Sequence, residues 1–232
     1  MTPAPTANQL SEQLLLAVKM ANSTKELVQS LAAFPFETLQ SQLSNDTQKK
    51  AFWINIYNAY FQILAKEQQV KKPAIYRDAL TTIAGKALSL DDIEHGILRR
   101  YRWKFSLGYL PNIFTPKLIK RLAVTQIDYR IHFALNCGAK SCPPIAFYNV
   151  DRLDAQLDMA SGSFLEGETQ VDEANKTIKV TALFQWFAAD FGGKRGLRNI
   201  LKKHIDLSSD GYKISYLPYS WEEDLGYFVE HS

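Results

Sequence analysis

Residues 46–68 hold the pattern that most restricts what this chain can become. Trp53, Ile56, Tyr57, Tyr60, Phe61 and Leu64 recur at the i, i+3, i+4, i+7, i+8 and i+11 spacing of a single helical stripe, and Asn45 or Asp46 stands where a cap is needed. Phe52, Ile54, Ala59 and Ile63 fall on the flanks of that stripe, so the helix is apolar nearly all round. Such a helix loses too much by facing water. It predicts a buried central helix with the rest of the chain wrapped about it.

Upstream, Leu10, Leu14 and Val18, then Leu27 and Leu31, repeat at helical spacing, with Ser23 and Thr24 as a cap between two helices. Residues 1–44 therefore read as a helical extension packed on a single domain over 45–232. Downstream, strands are predicted at 86–90, 130–136, 177–181 and 212–217. Helices are predicted over 89–101 and 117–122, from Asn149 or Asp151 to Phe164, and over 183–191 and 197–204. Residues 103–115 read as a loop. Runs of helix with scattered strands define an α+β fold, predominantly helical, with a small, mainly antiparallel sheet around the buried central helix.

With 232 residues, 46% of them hydrophobic, the chain can bury a full core. The net charge of +3 is spread among nearly equal numbers of acids and bases, which argues against nucleic acid or an anionic membrane as a partner. The runs Arg99-Arg100-Tyr101-Arg102 and Lys202-Lys203 read as solvated helix faces. No apolar run is long enough to span a bilayer. Met1 to Gln9 lacks the basic and apolar regions of an export signal, which implies the cytoplasm for the chain as written and export for one trimmed of its leader.

The chemistry concentrates in His132 to Pro144, HFALNCGAKSCPP. Cys137 at the end of a predicted strand, followed by Gly138, is placed to expose a sulfur and let a substrate approach. Cys137 and Cys142 are compatible with a short disulfide loop, with two free thiols, or, together with His95 and His132, with zinc; the spacing lacks a zinc-finger signature. A useful thiolate needs a base or a positive field. Strand alternation sends His132 to the face opposite Cys137, so His95, from another element, is the expected partner. Glu94 falls within the apolar face of the 89–101 helix and must be paired. His95 can instead sit in a surface row with Asp91 and Arg99. Asn55 and Asn58 share the least apolar side of the central helix, where they meet backbone or hold a loop.

Three segments, FWINIYNAY at 52–60, SLDDIEHGILR at 89–99 and HFALNCGAKSCPP at 132–144, resemble in order and spacing the domain of unknown function 547 family. The resemblance is expected to cover most of 45–232. That family is widespread in bacteria and plants and takes its name from having no established activity. The resemblance implies motif positions at Trp53, Asn55, Tyr57 and Asn58, at Glu94, His95 and Arg99, and at Cys137 and Gly138. Plant relatives often carry serine at the position of Cys142, which argues against an obligatory disulfide or a two-cysteine metal site, and many bacterial relatives carry export signals.

The sequence thus leads to a thiol-dependent hydrolase or acyl transferase on a peptide, amide or ester. Cys137 is the nucleophile, His95 the general base, Glu94 its orienter and the Gly138 N–H an oxyanion donor, with Asn55, Asn58, Arg99 and His132 in support. No cofactor or metal is called for, the substrate is a small molecule or a peptide, and no protein partner is indicated. The alternative is a non-catalytic binding or scaffold domain whose buried Glu, His, Asn and Cys side chains form a polar network that fixes the fold.

Overall fold

Asn45 and Gln48 set the start of the central helix. In the computed structural model, which describes residues 4–229, the Gln48 N–H donates to the Asn45 side chain at 3.0 Å and the Asn45 N–H donates to the Gln48 side chain at 3.3 Å, a reciprocal cap. Met1 to Pro3, part of the segment read for an export signal, lie outside the described residues. Helices α1 (Ala7–Lys19), α2 (Lys25–Ala33) and α3 (Phe36–Gln42) precede the central helix α4 (Asp46–Gln62). A π-helical segment, Ile63–Glu67, extends α4 to the length its stripe predicts. Every residue of α4 from Ala51 to Gln62 is buried. Burying a large apolar side chain is worth about 1.5–3 kcal/mol, and α4 buries Phe52, Trp53, Ile54, Ile56 and Phe61. Leu10, Leu14, Leu31 and Leu39 of the first three helices join the same core, and α1 packs most closely on α4.

The short helix α5 (Ala74–Arg77) leads to the antiparallel strands β1 (Thr81–Ile83) and β2 (Lys86–Leu88). The Ala84 N–H ties their turn to the Leu31 carbonyl at 2.8 Å. A π-helix over Asp92–Leu98 and helix α6 (Lys117–Leu122) follow, then α7 (Leu153–Gly167), β3 (Gln170–Asp172), β4 (Thr177–Val180), α8 (Leu183–Trp186), α9 (Gly193–Ile205) and β5 (Lys213–Tyr216). β3 and β4 pair antiparallel, β4 and β5 parallel. The expected α+β, mainly helical class is what forms, with its strands divided between two small sheets. A second cluster, Phe133, Phe164, Ile178, Val180, Phe184, Phe191 and Leu201, packs beside the core around α4. Among the described residues no helix is long and apolar enough to cross a membrane.

The strand expected at 130–136 does not form; Tyr129–Phe133 is a 3₁₀ helix. Alternation there did not mark an inner and an outer face. Arg130 turns back to the Asp128 carboxylate and reaches Asp158 on α7, while His132 is buried with Ile131 and Phe133 because a buried acid, Asp190, receives it. Asp128 also accepts the Arg130 N–H at 3.2 Å, which winds the chain at its first residue.

Candidate active site

Two asparagines of α4 hold the cysteine segment in place. Asn58 donates to the Ala134 carbonyl at 2.9 Å and accepts the Asn136 N–H at 2.9 Å. Asn55 donates to the Tyr148 carbonyl at 2.7 Å and accepts the Tyr148 N–H at 3.1 Å. Each amide thereby takes the place of a neighbouring strand, and both are fully buried, as unpaired amides could not be. Between these clamps Asn136 closes the loop, donating to the Pro143 carbonyl at 2.8 Å and accepting the Gly138 N–H at 2.8 Å. Gly138 has φ +68°, and a Cβ there would meet the Phe61 ring at 2.5 Å. The expected oxyanion donor, the Gly138 N–H, is thus already spent inside the loop.

Both cysteines are free thiols, Cys137 half-buried and Cys142 buried, with their sulfurs 2.7 Å apart. The Cys137 N–H and the Tyr219 hydroxyl both lie at 3.2 Å from the Cys142 sulfur. A hydrogen bond from the Cys137 thiol, against the opposing effect of burial and with help from Tyr219, pulls the Cys142 thiol down to about 7. The same hydrogen bond, and then burial, pushes the Cys137 thiol up. The pair shares protons: one leaves near neutrality because the other remains to stabilise the thiolate.

No imidazole hydrogen-bonds either sulfur among the described residues; the histidines belong to a separate network. The π-helix widens the turn so that Glu94, His95 and Arg99 all face inward, with the Arg99 N–H bonded to the Glu94 carbonyl five residues back at 2.9 Å. Arg99 is 0% exposed. Its Nη1 donates to His95 Nδ1 at 2.8 Å and its Nε to Asp190 Oδ2 at 2.6 Å, while Phe187 lies 4.5 Å from the guanidinium carbon. A guanidinium only donates, so His95 Nδ1 is unprotonated and the ring proton sits on Nε2. Burial, then the Arg99 charge, lowers the His95 pKa to about 3. In this arrangement His95 is a neutral imidazole with its Nε2–H as donor. Glu94 Oε1 lies 3.6 Å from a ring nitrogen that has no proton to give, and Glu94 Oε2 instead accepts from the Tyr57 hydroxyl at 3.1 Å. Glu94 does not orient His95. His95 does lie between the two neighbours expected of a surface row, Arg99 at 2.8 Å from Nδ1 and Asp91 at 3.7 Å from Nε2, but Arg99 is buried.

His132 has the arrangement expected of His95. Asp190 accepts its Nε2–H at 2.9 Å, and the ring stacks on Phe187 at 4.0 Å. Burial works to raise the Asp190 pKa, and the hydrogen bonds from His132 and Arg99 overcome it and hold that carboxyl below its usual range. Burial lowers His132, against the pull of Asp190. The ring is neutral, with its lone pair on Nδ1.

A cavity of about 270 Å³ joins the two networks: Cys137, Cys142 and Tyr219 line one part, Glu94, His95 and His132 another, with Tyr57 also on the wall. That volume suits a small molecule or the end of a longer one. Burial, then Glu94, pushes the Tyr57 hydroxyl well up, with both cysteines acting in the same direction. Asp190, Phe187 and Tyr219 escaped sequence reasoning. Asp190 did leave a trace, an acid between Phe187 and Phe191 that, like Glu94, needs a partner. Tyr219 left none. Among the described residues, no three His, Cys, Asp or Glu side chains are grouped to hold a metal ion.

A family model described as a protein of unknown function, DUF547, matches residues 40–165. The chain belongs to that family. The DUF547 match takes in the central helix, the π-helix and the cysteine segment, covers most of 45–232 as expected from the motifs, and stops within α7. No curated protein and no solved structure matches the chain.

Proposed function

We propose that the cavity is the active site of a thiol-dependent hydrolase or acyl transferase acting on an ester, amide or peptide, with Cys137 as nucleophile. The observation that carries this reading is the half-buried Cys137 sulfur on the wall of a cavity shared with Glu94, His95 and His132. The thiol pair loses its first proton near neutrality, and Cys137 is its less buried member. As Cys137 attacks, its proton passes across the 2.7 Å contact to the Cys142 thiolate, the Cys137 sulfur adds to the substrate carbonyl, the C–O or C–N bond breaks, and the leaving group takes up the proton that the pair had released. Water, or another acceptor, then splits the thioester and restores the thiol. His132, oriented by Asp190, is the base for that second step. The His95 Nε2–H, fixed by Arg99, is a donor for the carbonyl oxygen as charge grows there.

p-Nitrophenyl acetate is the probe for this reading. Peptide mass mapping is expected to find the acetyl group on Cys137, and Cys137→Ser is expected to abolish turnover above background. Acetylation confined to lysines, or turnover unchanged in Cys137→Ser, overturns the reading. One observation favours a non-catalytic scaffold instead: the Arg99 and Asp190 side chains have no exposure at all, and with His132 they form a network that fixes the fold whatever the cavity does. In that case Cys137→Ser leaves every property of the cavity intact.

A further inference from the structure

The chain between Glu94 and Asp128 contains no acidic residue and seven basic ones. Elsewhere there remain 20 basic residues against 24 acidic, so the small net charge hides a segment of one sign. Arg99 is consumed by Asp190, Lys104 pairs with Asp91, and Arg121 approaches Glu37 at 3.9 Å. Arg100, Arg102, Lys117 and Lys120 have no ion-pair partner among the described residues. The run from Arg99 to Arg102, expected as a solvated helix face, lies beyond the end of the π-helix at Leu98.

The same segment projects an apolar arm. The Trp103 N–H donates to the Leu110 carbonyl at 2.9 Å and the Asn112 N–H to the Tyr101 carbonyl at 2.7 Å, so the two limbs hold each other. The Ala189 N–H fixes the turn of the arm to the body through the Leu107 carbonyl at 3.0 Å. Held this way, the arm leaves Phe105 71%, Ile113 73% and Phe114 86% exposed, with Trp103, Tyr109 and Leu110 also open to solvent. A set of large apolar side chains left in water by an ordered backbone marks a surface that something else covers.

We propose that residues 100–120 form a docking surface for an anionic lipid membrane. Trp, Tyr, Phe, Leu and Ile exposed along the arm, with unpaired Lys and Arg in the same segment, are the chemistry of an interfacial anchor: the rings and aliphatic groups enter the headgroup boundary and the bases meet lipid phosphates. Charge decides against a second copy of the chain, because a two-fold contact through this face sets its unpaired bases against their own images. Lys104 of the arm also lines the thiol cavity, so docking places that cavity beside the lipid surface.

Vesicle co-sedimentation of the full chain tests this. Binding is expected to vesicles of phosphatidylcholine with about one-third phosphatidylglycerol, weakening with salt, and not to phosphatidylcholine alone. The triple change Phe105→Ser, Ile113→Ser and Phe114→Ser is expected to lower binding about tenfold or more. Lys117→Glu with Lys120→Glu removes the preference for anionic lipid; this pair, with Phe114→Ser alone, serves if the triple variant fails to fold. No sedimentation with anionic vesicles, or binding unchanged in the apolar arm variants, overturns the proposal. So does a dimer on size exclusion that the apolar arm variants dissolve in the absence of any vesicle binding.

Discussion

Arg99 donates a hydrogen bond to Nδ1 of His95 across 2.8 Å and so decides where the imidazole keeps its proton. With burial and the Arg99 charge lowering its pKa to about 3, His95 is expected to be the neutral Nε2–H tautomer throughout the physiological range. Nitrogen-15 NMR of the histidine side chains checks this, and a His95 ring that titrates between pH 5 and 8 contradicts it.

Stability is expected to fall on the acid side. An unfolded histidine takes up a proton as pH drops below about 6.5, whereas folded His95 resists until about 3. The unfolded chain therefore binds more protons over that interval, and the contribution is complete above 6.5 and lost progressively below it. Asp190, whose folded pKa is depressed, acts in the same direction as pH falls through its own titration. Urea midpoints measured from pH 7 down to pH 4 should decline; a flat profile over that range would show that His95 is not held as described.

Arg99→Ala is expected to cost about 3–5 kcal/mol, because it strands the fully buried Asp190 carboxylate. Arg99→Ala combined with Asp190→Ala is expected to cost less than the sum of the two single changes, since neither charge is then left alone. Equilibrium denaturation of the three variants measures the difference.

The thiol pair is expected to react with iodoacetamide along a profile whose midpoint lies near pH 7, with Cys137 modified first because it is less buried. In Cys142→Ser the profile should move up by a unit or more, since serine cannot share the charge. Peptide mapping of the adduct against pH separates this from two independent thiols, which would share one ordinary midpoint.

Asn58→Ala removes both partners of the 134–136 backbone, and about 2–3 kcal/mol of stability is expected to go with them. The Cys137 labelling rate should change as well, because the loop that presents the sulfur has lost one of its two clamps. Thermal melts with parallel labelling check both effects; an unchanged melt would mean that water replaces the amide at no cost.

What the sequence disclosed follows from where each cause lies. The all-round apolarity of α4 is a local pattern, and burial followed from it directly, as did the reciprocal cap at Asn45. The acid on an apolar helix face at Glu94 announced its need for a partner, though not that the partner is the Tyr57 hydroxyl. The alternation at 130–136 misleads because Arg130 and His132 each owe their position to an acid elsewhere in the chain, Asp158 and Asp190. With the strand gone, so is the argument that turned His132 away from the cavity. Asp190, 58 positions from His132, is invisible to any window of sequence that contains the histidine.

The family match ends at residue 165, yet Phe187 and Tyr219 wall the cavity that its motifs supply with sulfur, carboxylate and imidazole, and Asp190 holds one of those imidazoles in place. The cavity is therefore assembled from two stretches of the chain, only one of which the family match covers. A relative that preserved the first and diverged in the second would set the same sulfurs and imidazoles in a cavity of another shape. Grafting 183–221 between two members accordingly changes the cavity wall and, through Tyr219 and Asp190, the setting of the thiols and of His132 as well.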